Sequence, residues 1–179
     1  WDGTDWKSTF EGADLFVYLN TSEGGSVLSR AWGFAHTLPF AADHGFVLED
    51  DTYFQHIAYD GSSWLDQGTS VDLYAGWADN QATELALPWS ALGQPTSFDL
   101  LVYAQWQDSG NVWTSFPLQN PANNNGAETF THAWHAENIS NITSPQQLPI
   151  VESVGVEKVD DALNLAIVFH QHQPYYKNK

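Results

Sequence analysis

The sequence predicts an all-β chain, a two-sheet antiparallel β-sandwich of jelly-roll or immunoglobulin-like type. Three observations carry that expectation. Apolar residues recur mostly with period two in short runs. Clusters of Gly, Pro, Asn, Asp and Ser interrupt those runs every ten residues or so. No long amphipathic helix is visible, and eight runs of strand length suit two packed sheets.

In chain order, the clearest strand is 13–20, ADLFVYLN, where Leu15, Val17 and Leu19 face one side and Phe16 and Tyr18 the other. Both of its faces read as covered. The next strands are HGFVLED from His44, TYFQHIAY from Thr52, SVDLYAGWA from Ser70 and ATELALPW from Ala82. SFDLLVYAQWQ from Ser97, NVWTSF from Asn111 and AETFTHAWHA from Ala127 complete the set. Asp60-Gly61 ends one strand in a turn, and Asp108-Ser109-Gly110-Asn111 turns a hairpin that places Trp106 and Trp113 on either side. Pro88 to Gly93 reads as one helical turn closed by glycine. QNPANNNG, 119–126, is a polar loop, and 144–149, with two prolines and two glutamines, is a linker.

Composition narrows the function. The 179 residues hold 42% apolar and 15% aromatic side chains, so a real core is expected, with roughly 70% of the unfolded surface buried on folding. The 22 acidic against 5 basic residues give a net charge of −17, through scarcity of base. A nucleic-acid site needs several cations, and anionic membrane surfaces need them too, so neither partner is expected. No apolar run reaches the length of a membrane span. Without cysteine there is no disulfide, thiolate zinc site or thiol nucleophile. Few bases also limit positive self-repulsion at low pH, which suits work in acid, and the lack of Cys and Met suits a hot or oxidising setting.

Nine tryptophans exceed what a sandwich core of this size requires. Pyranose rings stack their apolar faces on flat aromatics while Asn, Gln and Asp bind the hydroxyls, so carbohydrate is the ligand class these residues suggest. Trp77, Trp89 and Trp106 lie inside strands or at their ends and are assigned to the core. Trp32, Trp64 and Trp113 sit among polar or turn residues and are the binding candidates, with Trp134 as a fourth. The histidines His36, His44, His56, His132 and His135 show no zincin spacing and read as surface or hydrogen-bonded core residues. Glu49, Asp50 and Asp51 are the calcium candidates, although a solvated acidic turn is the preferred reading of the run, and no cofactor other than structural calcium is considered. No nucleophile elbow or zincin motif is present, and the chain is expected to be non-catalytic. Sequons at Asn20, Asn138 and Asn141 fit a secreted or cell-surface protein.

After the linker, composition turns aliphatic, and LNLAIVF from Leu163 reads as a strand buried on both faces, as in a parallel barrel. Residues 163–177, LNLAIVFHQHQPYYK, resemble the opening of the catalytic domain of family-57 glycoside hydrolases, which act on α-glucans. The match spans about fifteen residues and rests on the motif His172, Gln173, Pro174 at the end of the first strand of an incomplete (β/α) barrel. More diffusely, GADLFVYLN, the LPFAADHGFVLED segment from Leu38 and ELALPWSALG from Glu84 resemble the β-sandwich modules of amylopullulanases and glucodextranases, akin to DOMON and family-9 carbohydrate-binding folds. DOMON relatives that hold haem ligate it through Met and His, and this chain has no Met. The resemblance implies a carbohydrate-binding module at 1–143, a linker at 144–149 and the truncated start of a hydrolase domain at 150–179. The implied partners are an α-glucan and the hydrolase domain of the same chain, with the protein a monomer. The alternatives are a structural spacer or cell-surface domain that binds no sugar, and a calcium-dependent adhesion module.

Overall fold

The computed structural model describes residues 13–49, 53–68, 74–78, 82–107, 109–122, 126–137 and 162–167. They form an all-β, sandwich-like fold built from antiparallel ladders. The strands are β1 (Ala13–Asn20), β2 (Ser26–Leu28), β3 (Thr37–Ala42), β4 (His44–Leu48), β5 (Phe54–Tyr59), β6 (Trp64–Asp66), β7 (Tyr74–Ala78), β8 (Ala82–Pro88), β9 (Ser97–Trp106), β10 (Val112–Phe116), β11 (Trp134–Glu137) and β12 (Ala162–Ile167). One 3₁₀ turn, Trp89–Leu92, follows β8.

The main sheet has the order β10-β9-β1-β4-β5-β6. β11 joins it on β9, pairing with residues 97–100 of that strand, whereas β10 pairs with residues 102–105. One ten-residue strand thus carries two short partners end to end, beside β1 on its other edge. β2 and β3 form a separate ribbon, and β7, β8 and β12 a three-stranded sheet.

Both faces of the main sheet are buried, because its central strands are apolar on both sides. On the first face, Leu15, Val17 and Leu19 of β1 pack with Phe46, Leu48, Phe98, Leu100, Val102 and the 3₁₀-turn residue Leu92. On the second, Phe16 and Tyr18 pack with Leu38, Phe40, Val47, Ile57, Leu101, Tyr103 and Phe130. Rings dominate there: Phe16 and Tyr103 stack with centroids 5.1 Å apart, and Phe130 stacks on Tyr103 at the same distance.

The predicted alternation in β1 holds over its whole length, as do the hairpin turn after Trp106 and the 3₁₀ turn after Pro88. Three strands were not expected: β3, of six residues, and β2 and β6, of three residues each. AETFTHAWHA is extended-strand only at its end, in β11; the preceding part makes a single bridge, Thr129 with Thr37. The tail strand departs from expectation. Residues 162–167 run antiparallel to β8, in register from Ala162 opposite Pro88 to Ile167 opposite Thr83, at the edge of the small sheet. A strand must find partners for its backbone N–H and C=O groups, and here β8 supplies one free edge, its other edge being held by β7. Residues 138–161, which include the predicted linker, lie outside the described residues.

Candidate functional site

Strand β9 organises the aromatic surface. Its residues 98, 100, 102 and 104 point into the first core, so Trp106 projects from the same face where the strand enters the hairpin. The turn is closed by the Trp106 amide donating to the Asn111 carbonyl at 3.0 Å and the Gly110 amide donating to the Trp106 carbonyl at 2.7 Å. A register shift between Val112 and Thr114 leaves Trp113 as the extra residue of β10. Val112 faces the second core, and Trp113, next along the strand, packs on the first. Trp106 and Trp113 consequently stack, with centroids 5.4 Å apart and planes 20° from parallel. Trp113 is half-buried, whereas Trp106 remains 37% exposed.

Six residues along β9, the register places Trp134 opposite Leu100 on this same face. Trp134 is 42% exposed and meets Phe98 edge-on at 5.8 Å. At a strand rise of about 3.3 Å per residue, Trp106 and the Trp134 position stand about 20 Å apart. The two platforms are too far apart for one sugar ring and within reach of an extended oligosaccharide.

Trp32 and Trp64 belong to the opposite face and serve the fold. Trp32 packs edge-on against Phe16 and Tyr53, and the Arg30 guanidinium lies over its ring, 5.5 Å from the centroid. Gln105 fixes its backbone by donating Nε2–H to the Trp32 carbonyl at 2.6 Å. Gln105 Oε1 in turn accepts from His36, which is oriented by the Glu128 amide donating to Nδ1 at 3.0 Å, so Nε2 carries the proton. Trp64 meets Tyr18 edge-on at 5.3 Å and donates Nε1–H to the Leu28 carbonyl at 2.9 Å. The four candidate tryptophans are therefore divided between the two faces, and Trp106, which the sequence assigns to the core, is the exposed member of the stacked pair. Its position at the end of a strand, beside a Ser-Gly-Asn turn, is the signal that was available.

An open cleft of about 470 Å³ lies beside the end of β1 and the start of β9, lined by Asn20, Glu23, Ser97, Phe98, Asp99 and His135 among others. Three of its polar groups, Asn20, Asp99 and His135, are engaged with one another. Asp99 accepts from Asn20 Nδ2 at 2.9 Å and meets His135 Nδ1 at 2.7 Å, which holds the His135 pKa above its ordinary value. The sequon amide of Asn20 is thus committed to Asp99, and Asn138 and Asn141 lie outside the described residues.

Of the calcium candidates, Glu49 accepts a hydrogen bond from Gln107 Nε2, while Asp50 and Asp51 lie outside the described residues. Among the described residues, no group of three or more His, Asp or Glu side chains is placed to hold a metal ion. His44 and His56 form a pair instead, Nδ1 to Nε2 at 2.9 Å, with His56 stacked on Phe46. His172, Gln173 and Pro174 are outside the described residues. No family model, curated protein or solved structure matches this chain, so the reading of its function rests on its own residues.

Proposed function

We propose that the chain is a non-catalytic carbohydrate-binding module that holds a neutral α-glucan beside a glycoside hydrolase. The observation that carries this reading is the Trp106–Trp113 stack at the mouth of a hairpin, with Trp106 exposed and its partner anchored on the core. A stacked pair is a flat, pre-ordered apolar surface, and a pyranose face settling on it loses little entropy in the protein. Trp134 on the same face supplies a second contact for a polymer. Net charge also fits: −17 repels anionic polymers and is indifferent to a neutral one. Contacts of this kind are individually weak, and their benefit is to raise the concentration of an attached enzyme on its substrate.

The decisive experiment is affinity electrophoresis of the full chain through gels containing starch, pullulan, dextran, cellulose or xylan. Retardation by an α-glucan, lost in Trp106→Ala and reduced in Trp134→Ala but kept in Trp32→Ala, is the expected result. A folded chain that migrates unretarded in every gel would replace this reading with that of a structural spacer.

A further inference from the structure

Asp14 is an acid inside an apolar strand. It is 0% exposed, and among the described residues neither carboxylate oxygen has a hydrogen-bond partner. A bare buried carboxylate is among the costliest groups a core can hold, and such a group commonly escapes that cost by keeping its proton. Its neighbours follow from the register. Gln105 of β9 lies opposite it, and extending the β1–β4 pairing one residue beyond Leu15 and Leu48 brings Glu49 alongside. Glu49 donates its amide to the Tyr53 carbonyl at 2.9 Å, so Gln105, Asp14, Glu49 and Tyr53 form one row across the sheet.

Among the described residues, the other titratable or charged groups around this row are His36, bonded to Gln105, Tyr103, which the Asp14 charge reaches, Asp66, whose charge reaches Tyr53, and Arg30, whose guanidinium is engaged with Gln55 Oε1 at 3.4 Å and with the Trp32 ring. Among the described residues, the ion pairs are those of His135 with Asp99 and Glu137, and neither Asp14 nor Glu49 meets a cation. Glu49 does have one partner, Gln107, the residue immediately after Trp106.

We propose that Asp14 keeps its proton in the folded protein and that Asp14, Glu49 and Gln107 form an acid-held latch on the hairpin of Trp106 and Trp113. With Asp14 neutral, Glu49 is the single charge of the pair and stays turned toward Gln107, tethering the base of the hairpin. Ionisation of Asp14 puts two like charges side by side in a water-poor row, and the cheapest relief is for Glu49 to swing to solvent and release Gln107. Burial first, and then the Glu49 charge, raise the Asp14 pKa to about 7. The latch is closed in acid and opens through neutrality. Its effect on glucan rests on the binding reading above; the latch itself does not.

The test uses the full chain without ligand. The ¹³C resonance of the Asp14 carboxyl, followed by NMR from pH 3 to 9, is expected to titrate near pH 7; a midpoint in the ordinary carboxylate range would overturn the proposal. Thermal unfolding of Asp14→Asn and wild type supplies the linked readout. A raised folded-state pKa stabilises most at low pH and loses that contribution as pH rises through 7. The variant's Tm advantage should therefore be small at pH 4.5 and grow towards pH 8, and an equal difference at both would count against it. Should the variant not fold, the wild-type titration decides alone, and Glu49→Gln should move its midpoint down. If calcium chloride raises the wild-type Tm but not that of Asp14→Asn, a cation neutralises the pair and the latch is wrong. A titration as expected, with no glucan retardation at any pH, would retain the latch and discard the binding reading.

Discussion

The indole of Trp106 lies stacked on that of Trp113, 5.4 Å between centroids, and the two rings have unequal duties. Trp113 packs on the first core, and Trp106, stacked on Trp113, is 37% exposed. Substituting Trp106 by Ala should remove glucan retardation while costing about 1 kcal/mol of stability, the worth of an aromatic pair. Trp113→Ala removes a half-buried ring and its packing, and should cost about 2–3 kcal/mol, below the full cost of emptying a core site. Urea denaturation alongside gel retardation separates these effects. Equal stability losses in the two variants would refute the assignment of one ring to the core and the other to the surface.

Trp32 and Trp64 are expected to behave as structural residues. Trp64→Ala loses the edge-on contact to Tyr18 and the hydrogen bond to Leu28, and should destabilise by about 2–4 kcal/mol. Chains that remain folded should still be retarded in α-glucan gels. Loss of binding at full stability in either variant would move the site to the opposite face of the sheet.

Gly33 and Gly110 approach back to back. A Cβ on Gly33 would lie 2.8 Å from the Gly110 Cα, and one on Gly110 would lie 2.9 Å from the Phe34 nitrogen, both against backbone that cannot turn aside. Each also has positive φ, 83° and 68°. Gly110→Ala should therefore cost about 1–3 kcal/mol and loosen the hairpin from the loop that carries Trp32. An unchanged denaturation midpoint would show that the two loops do not touch in solution.

The paired histidines give a pH limb of opposite sign to that of Asp14. Burial, then the charge of His44, lowers His56 to about 4, and burial also lowers His44. The neutral pair stabilises the fold above the ordinary histidine range, and that contribution is lost as pH falls from about 6.5 towards 4. Imidazole NMR should find His56 titrating near 4, and His56→Gln should flatten the fall in Tm between pH 6.5 and 4. Titration of His56 at 6.5 would contradict its burial against Phe46.

Much of this fold is written in short-range pattern. The two-sided alternation of β1 is read directly from Leu15, Val17 and Leu19 against Phe16 and Tyr18, because period two and side-chain type are local properties. Pairing is not local, and nothing in LNLAIVF says that its ladder partner is β8. Trp106 is assigned to the core by alternation for a related reason: period two gives the face of a residue but not whether the covering layer extends to the strand's end, which only the neighbouring turn hints at. Asp14 offered a clue in being the lone acid of a run covered on both faces, a place where an ordinary solvated carboxylate has no room.

The antiparallel ladder between β12 and β8 bears on where this protein can be cut. Ending a recombinant chain at residue 148 would strip β8 of its outer neighbour and leave an edge of unpaired N–H and C=O groups on a small sheet. Such edges recruit strands from other copies. Expression boundaries drawn after Ile167 should yield monodisperse protein where those drawn at residue 148 yield self-association, so residues 162–167 act as a seal on the open edge of β8.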